Sequence, residues 1–194
     1  MNVALRKPMS LAEFLAWEER QELRCEFDGF QPVAMTGGTI GHDRITFNLN
    51  KALDARLASG RCRPFGPNVK IIAGGKVRYP DALVTCSPVD FSATVIADPV
   101  VVFEVVSEDS ARTDRIDKVR DYQATPSIQR YVILEQTSIG ATVFAREGDT
   151  WTASVLIEGD TIALPELGTA LPLSECYAGL ELPRRSAGDQ APAP

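Results

Sequence analysis

Positive charge is the scarcer sign in this chain. Its 20 Lys and Arg face 26 Asp and Glu, for a formal net charge of -6 and a sequence pI near 4.9. Phosphate contacts need clustered Lys and Arg, so this balance argues against generic, charge-driven nucleic-acid binding and leaves room only for a local basic groove. Acidic residues that hold divalent cations would offset part of the negative excess. Long apolar runs are missing too. No segment approaches the roughly 20 residues of a membrane span. The first residues, MNVALRKPMS, carry one basic cluster and no apolar stretch behind it. No membrane is expected as a partner, and a cytoplasmic location is. Cysteine is sparse. Cys25, Cys62, Cys86 and Cys176 lie far apart with no CxxC pair, which predicts small buried thiols rather than a disulfide framework or a zinc site. There is one histidine, His42, and no internal repeat.

What is present suits one domain with a full core: 194 residues, 44% hydrophobic and 24% charged. Residues 1–9 read as a loose, flexible N-terminus, residues 10–182 as the domain, and the Pro- and Ala-rich stretch 183–194 as a disordered tail. Ser10 and Glu13 have the offset of a capping box, so a short amphipathic helix should run to about Gln21 with Leu11, Phe14, Leu15 and Trp17 inward. Asp28-Gly29 between apolar flanks predicts a hairpin. Ile45, Leu49, Leu53 and Leu57 recur at four-residue steps and predict a helix over 42–59 with Gly60 as its cap. Strands are expected within 61–73, at 79–86, 100–106, 131–134, 141–146 and 151–157, with a helix over 110–124 that stops before Pro126. This order predicts an α/β domain with a mixed sheet.

Three stretches carry chemistry. Val100 to Val106 is a continuous apolar run interrupted only by Glu104, so it reads as a strand covered on both faces. A carboxylate in its middle needs a metal, a cation or a proton as partner. In YPDALVT, Pro80 fits a strand's start, which puts Asp81 at the entrance, where it can face a cleft. If these two strands are neighbours, the two carboxylates converge as hard oxygen donors of the kind Mg²⁺ or Mn²⁺ takes. In DRIDKVRDY, Ile116, Val119 and Tyr122 supply an apolar stripe, and Lys118 lies at its edge beside Tyr122, on one face with Asp114 and Asp121.

The segments YPDALVT, FEVVS and DRIDKVRDY together resemble the signature of the PD-(D/E)xK nuclease superfamily, and more closely the bacterial putative restriction endonuclease family. EFDG at 26–29, AMTGG at 34–38, GHDRITFNL at 41–49 and IQRYVILE at 128–135 fit the same likeness, which spans about residues 10–180. It implies a restriction-endonuclease-like fold: a mixed β-sheet core flanked by helices, with an N-terminal hairpin. It also implies Mg²⁺- or Mn²⁺-dependent hydrolysis of DNA phosphodiester bonds. Asp81 and Glu104 would bind metal, Lys118 would assist the attacking water, and Glu26 and His42 would be outer members of the site. Phe30 stands where the family has an acidic residue, and Ser107-Glu108-Asp109-Ser110 lacks the family's proline.

Plainer readings stand beside these. Asp81 could be a turn residue, Glu104 a structural ion-pair partner, and Lys118 a solvated bridge to Asp114. His42 could cap a backbone group, and Glu26 could face solvent. Arg61, Arg63, Lys70, Lys76 and Arg78 form the densest basic stretch, either a solvated strand face or a DNA-contacting edge. Three functions remain: an active endonuclease working as a homodimer, a nuclease-fold module that binds DNA or protein without cutting, and a metal hydrolase for small phosphoesters.

Overall fold

The computed structural model describes residues 8–35, 37–106 and 113–182, the last stretch with backbone alone at 113 and 114. The serine turn 107–110, the start of the lysine helix, the Asp114 side chain, Thr36 of AMTGG and the tail lie outside the described residues.

The chain opens with α1 (Leu11–Glu18), capped as its sequence predicts. Glu13 N donates to Ser10 Oγ, and Ser10 N donates back to Glu13 Oε2. Met9, read as part of the loose N-terminus, donates its N–H to Phe30 O. The hairpin β1 (Cys25–Phe27) and β2 (Pro32–Ala34) follows, then α2 (Ile40–Leu57), whose N-cap is Thr39 and whose C-cap is Ala58 rather than Gly60. Next come β3 (Arg63–Phe65), β4 (Lys70–Ala73), β5 (Lys76–Arg78) and β6 (Ala82–Thr85). The expected strand over 79–86 therefore begins late: Tyr79-Pro80-Asp81 is a corner at which the chain leaves one sheet and enters another. A short β7 (Val95–Ile96) precedes the long β8 (Pro99–Val106). A π-helical turn (Thr113–Asp117) leads into α3 (Lys118–Gln123). The remainder is β9 (Arg130–Glu135), β10 (Gly140–Glu147), β11 (Thr150–Ile157), β12 (Thr161–Leu164), β13 (Thr169–Pro172) and α4 (Leu173–Cys176).

The first sheet has strand order β2-β1-β5-β4-β7 and the second β11-β10-β9-β8-β6-β3, with β12-β13 as a separate pair. The second sheet is mixed, as the α/β reading requires. β8 and β9 are parallel with α3 in the crossover, and the other pairs are antiparallel. Ile45, Leu49, Leu53 and Leu57 of α2 pack with Val101, Phe103 and Val105 on one face of β8. Val102 and Val106 meet Tyr122, Ile128 and Tyr131 on the other. Cover on both faces explains the uninterrupted apolar run.

Three expectations are corrected. Cys62 and Cys86 form a disulfide. Their isolation in sequence hid this, but β3 and β6 pair with Arg63 opposite Thr85, which brings the next residues out, Cys62 and Cys86, across from each other. Cys25 and Cys176 remain buried thiols. Second, Ile116 is 45% exposed, so it is not part of the inward stripe. The π-helical turn breaks the phase, and the buried face of α3 is Lys118, Asp121 and Tyr122. Third, the basic stretch is not one face: Arg61 and Arg63 are exposed, as a solvated face would have them, but the other three cations turn to carboxylates. Lys70 is buried against Glu18, Arg78 is buried against Asp121 and Glu26, and Lys76 pairs with Asp121.

Candidate functional site

The corner at Pro80 brings together residues from six segments. Asp81 sits just before β6. Because Ala82 pairs with Phe103, the antiparallel register sets Asp81 level with Glu104. β8 runs on past the start of β6, so its amides there need another acceptor. Asp81 supplies it: Val105 N–H donates to Asp81 Oδ2 at 2.7 Å. The same oxygen lies 3.2 Å from His42 Nε2, in the first turn of α2. Asn50, further along α2, donates to the Asp81 carbonyl. Asp81 Oδ1 accepts no hydrogen bond from any described residue.

Glu104 shares its face of β8 with Val102 and Val106 and is buried. It is satisfied from α3. Lys118 Nζ donates to Glu104 Oε1 at 2.9 Å, and Tyr122 OH donates to the same oxygen at 2.7 Å. Lys118 and Tyr122 are four residues apart, so one helix face delivers both. Burial, and then the Glu104 charge, holds the Tyr122 hydroxyl well above its ordinary range, so it acts as a donor.

A second layer holds Lys118. Phe27 pairs with Val77, so the next pair along is Glu26 and Arg78. Arg78 Nη1 donates to Glu26 Oε2 at 2.9 Å, and Arg78 Nε and Nη2 donate to Asp121 Oδ2 at 3.0 and 2.6 Å. Glu26 Oε1 takes the Tyr79 amide at 3.1 Å and lies 3.6 Å from Lys118 Nζ. Lys76 Nζ reaches Asp121 Oδ1 at 2.7 Å. Burial alone would lower the Arg78 pKa, but Glu26 and Asp121 more than offset it and raise it.

All five residues singled out in the sequence therefore lie in this one assembly. Asp81 and His42 touch each other, and Glu104, Lys118 and Glu26 form a chain of contacts. Sequence reasoning missed Arg78 and Asp121 as parts of it and counted Tyr122 only as core. A signal existed for Tyr122, because a buried phenol needs a partner and Glu104 needed one too. None existed for Arg78, whose role depends on strand register. Chemically, the site presents two carboxylates of hard-oxygen type beside an ammonium group. Among the described residues, no group of three or more His, Cys, Asp or Glu side chains is arranged to hold a metal ion. No helix among them is long and apolar enough to cross a membrane.

Comparison with known proteins adds four findings. The Uma2 family, described as "Putative restriction endonuclease", matches residues 11–179. An uncharacterized protein of Synechocystis sp. is 31% identical over 176 residues, covering 89% of this chain and 93% of its own. A second uncharacterized protein of that organism is 27% identical over 154 residues, covering 77% of this chain and 87% of its own. The crystal structure of a putative nuclease belonging to DUF820 from Anabaena variabilis shares the fold at a TM-score of 0.72. It has 16% sequence identity, over 88% of this chain and 98% of that one.

Proposed function

The chain belongs to the putative restriction endonuclease family, and from that premise we propose that it is a metal-dependent endonuclease of the PD-(D/E)xK type that hydrolyses DNA phosphodiester bonds. The observation that carries this reading is the convergence at Glu104. A carboxylate buried in mid-strand is met by Lys118 at 2.9 Å, while Asp81 binds the amide of the very next residue at 2.7 Å.

Asp81 and Glu104 would hold Mg²⁺ or Mn²⁺. Two carboxylates suit Mg²⁺, which commonly takes one or two carboxylates and completes its shell with water and phosphate oxygens. When bound, such an ion lowers the pKa of water and offsets charge building on the phosphate. The chain's own residues do the rest. Lys118 orients the attacking water and stabilises the charge that develops on phosphate oxygens as the P–O bond to the leaving sugar breaks. Tyr122 and Lys118 together fix the Glu104 carboxylate through Oε1. Glu26, tied down by Arg78 and the Tyr79 amide, keeps Lys118 from swinging away. His42 steadies Asp81. The reading takes the cytoplasm as the site of this work, where thiols are kept reduced and the Cys62–Cys86 disulfide would open to a facing dithiol.

Glu104→Gln keeps the side-chain shape and an acceptor for Tyr122. It should abolish Mg²⁺-dependent cleavage while leaving the thermal transition cooperative. If wild-type protein, with Mg²⁺ or Mn²⁺ on single- and double-stranded DNA, cuts no faster than Glu104→Gln, the reading fails.

A second reading, a nuclease-fold module that binds DNA or protein without cutting, is favoured by one observation. Glu26, Glu104 and Asp121 are already matched by Lys118, Arg78 and Lys76. It predicts that neutralising Asp81 and Glu104 together leaves partner binding unchanged.

A further inference from the structure

We propose that the outer edge of β11 is a self-association surface, at which two copies of this chain join their six-stranded sheets antiparallel about a two-fold axis through Ala153.

The two main sheets have four edges, and three are protected. The first sheet ends on β2, three residues beginning with Pro32, and on β7, two residues long. The second ends on β3, three residues centred on Pro64. Short strands and proline are the usual devices that stop a sheet from pairing with another chain. The fourth edge has neither. β11 is eight residues long, reads TWTASVLI, and contains no proline and no charge. Thr152, Ala153, Ser154 and Val155 are all exposed, Val155 at 58%.

The ladder fixes which groups this edge offers. β10 and β11 are joined by the two-residue turn Gly148-Asp149, with Glu147 opposite Thr150. In such a hairpin the closing pair exchanges hydrogen bonds, and bonded pairs then alternate with unbonded ones. Thr150, Thr152, Ser154 and Leu156 thus turn their N–H and C=O toward β10, whereas Trp151, Ala153, Val155 and Ile157 turn theirs outward. Two observations agree. Ile157 N–H goes to Asp160 Oδ2 at 2.8 Å, away from β10. Arg146, opposite Trp151, donates its N–H to Gln129 on the β9 side. Asp160 caps Ile157, and its own N–H donates to the Ile157 carbonyl. Trp151, Ala153 and Val155 are left with outward-facing amides and carbonyls that pair with no described residue.

This set is complementary to itself. A two-fold through Ala153 sets Ala153 opposite the partner's Ala153, and Trp151 opposite the partner's Val155. Aromatic beside β-branched is a favourable cross-strand pair, and the small alanine leaves the centre uncrowded. Trp151 is held in place by Arg146, whose guanidinium carbon lies 4.6 Å from the ring centroid. β11 itself carries no charge, which confines any repulsion between copies of a chain of net charge -6 to the two ends of the strand. The closed two-fold satisfies both edges at once and leaves none to propagate.

Sedimentation equilibrium on the full chain tests this. Wild type should be a dimer. Val155→Lys, a charge on the edge, should be monomeric with the melting temperature of a folded chain. Trp151→Glu alone should be monomeric as well. Mixed in equal amounts, the two variants should pair again, because each heterodimer sets Lys against Glu at one end and Trp against Val at the other. A wild type that stays monomeric at every concentration, or a Val155→Lys variant that still dimerises, overturns the proposal. Nuclease activity plays no part in the measurement, so its outcome is independent of the function proposed above.

Discussion

Tyr122 donates a hydrogen bond to the same Glu104 oxygen that Lys118 binds, so one carboxylate oxygen is held by two donors from consecutive turns of a helix. Outer partners of this kind commonly change metal affinity about 10–100-fold when removed. Tyr122→Phe should therefore weaken Mn²⁺ binding by about tenfold in a calorimetric titration, with little change in far-UV circular dichroism. Equal affinities in the two proteins would mean that Tyr122 only packs. Wild type that binds no Mn²⁺ at all would instead count against the nuclease reading. The same residue has a pH signature. Its pKa is raised in the folded state by burial and then by Glu104. A raised acid contributes stability in full below the unfolded tyrosine pKa of about 10, and that contribution is lost as pH rises beyond it. The difference in melting temperature between wild type and Tyr122→Phe should thus be flat across neutral pH and change only above that point. Cys176, whose thiol is pushed up to about 12 by burial, should stay unreactive toward alkylating agents in the folded protein.

At the scale of elements, the turn between β4 and β5 reaches the site from outside it. Gly74 and Gly75 both have positive φ, at 57° and 78°. A side chain at either should cost about 1–2 kcal/mol for the left-handed conformation. They differ in surroundings. A Cβ on Gly74 would lie 3.2 Å from the Asp121 Cα, while a Cβ on Gly75 would meet nothing within 4 Å. Asp121 is the α3 residue that Arg78 grips, next to Tyr122. Urea unfolding should therefore show Gly74→Ala to be the more damaging of the two. Gly74→Ala should also lower Mn²⁺ affinity, and Gly75→Ala should leave it alone. The double glycine announces a turn, but nothing in its spacing announces that α3 lies across it. The corner at Pro80 has the same character. Proline marks where a strand cannot be central. Only the pairing of Phe27 with Val77 and of Ala82 with Phe103 shows that the chain changes sheets there.

For the molecule as a whole, the Cys62–Cys86 disulfide closes a separation of 24 residues that contains β3, β4, β5, β6 and the Pro80 corner. A loop of that length should contribute about 3 kcal/mol by restricting the unfolded chain. The double variant Cys62→Ser, Cys86→Ser should lose about that much in denaturant unfolding relative to oxidised wild type, and reduced wild type should fall close to the variant. If oxidised and reduced wild type unfold together, the link adds nothing to stability. Two buried polar groupings also belong to this scale. The site network is one. The other is Glu18, which accepts from Lys70 and from Tyr79 and fastens α1 to the first sheet beside the corner.

By itself the sequence determined the features that depend on near neighbours. The Ser10–Glu13 box, the Asp28-Gly29 hairpin, the four-residue step of α2 and the apolar run around Glu104 are local patterns, and each forms as its period or turn chemistry requires. The resemblance carried by YPDALVT, FEVVS and DRIDKVRDY also picked out five residues that do lie together. The tertiary structure decided what depends on partners distant in the chain. Lys70, Lys76 and Arg78 look like surface charge until Glu18, Asp121 and Glu26 fold onto them. Cys62 and Cys86 look like lone thiols until β3 meets β6. The face that α3 turns inward is Lys118, Asp121 and Tyr122 rather than Ile116, because those polar groups find buried partners and Ile116 does not need one. A buried charge is tolerated only where its counter-charge arrives, and arrival is set by strand register and sheet order, which no local pattern encodes.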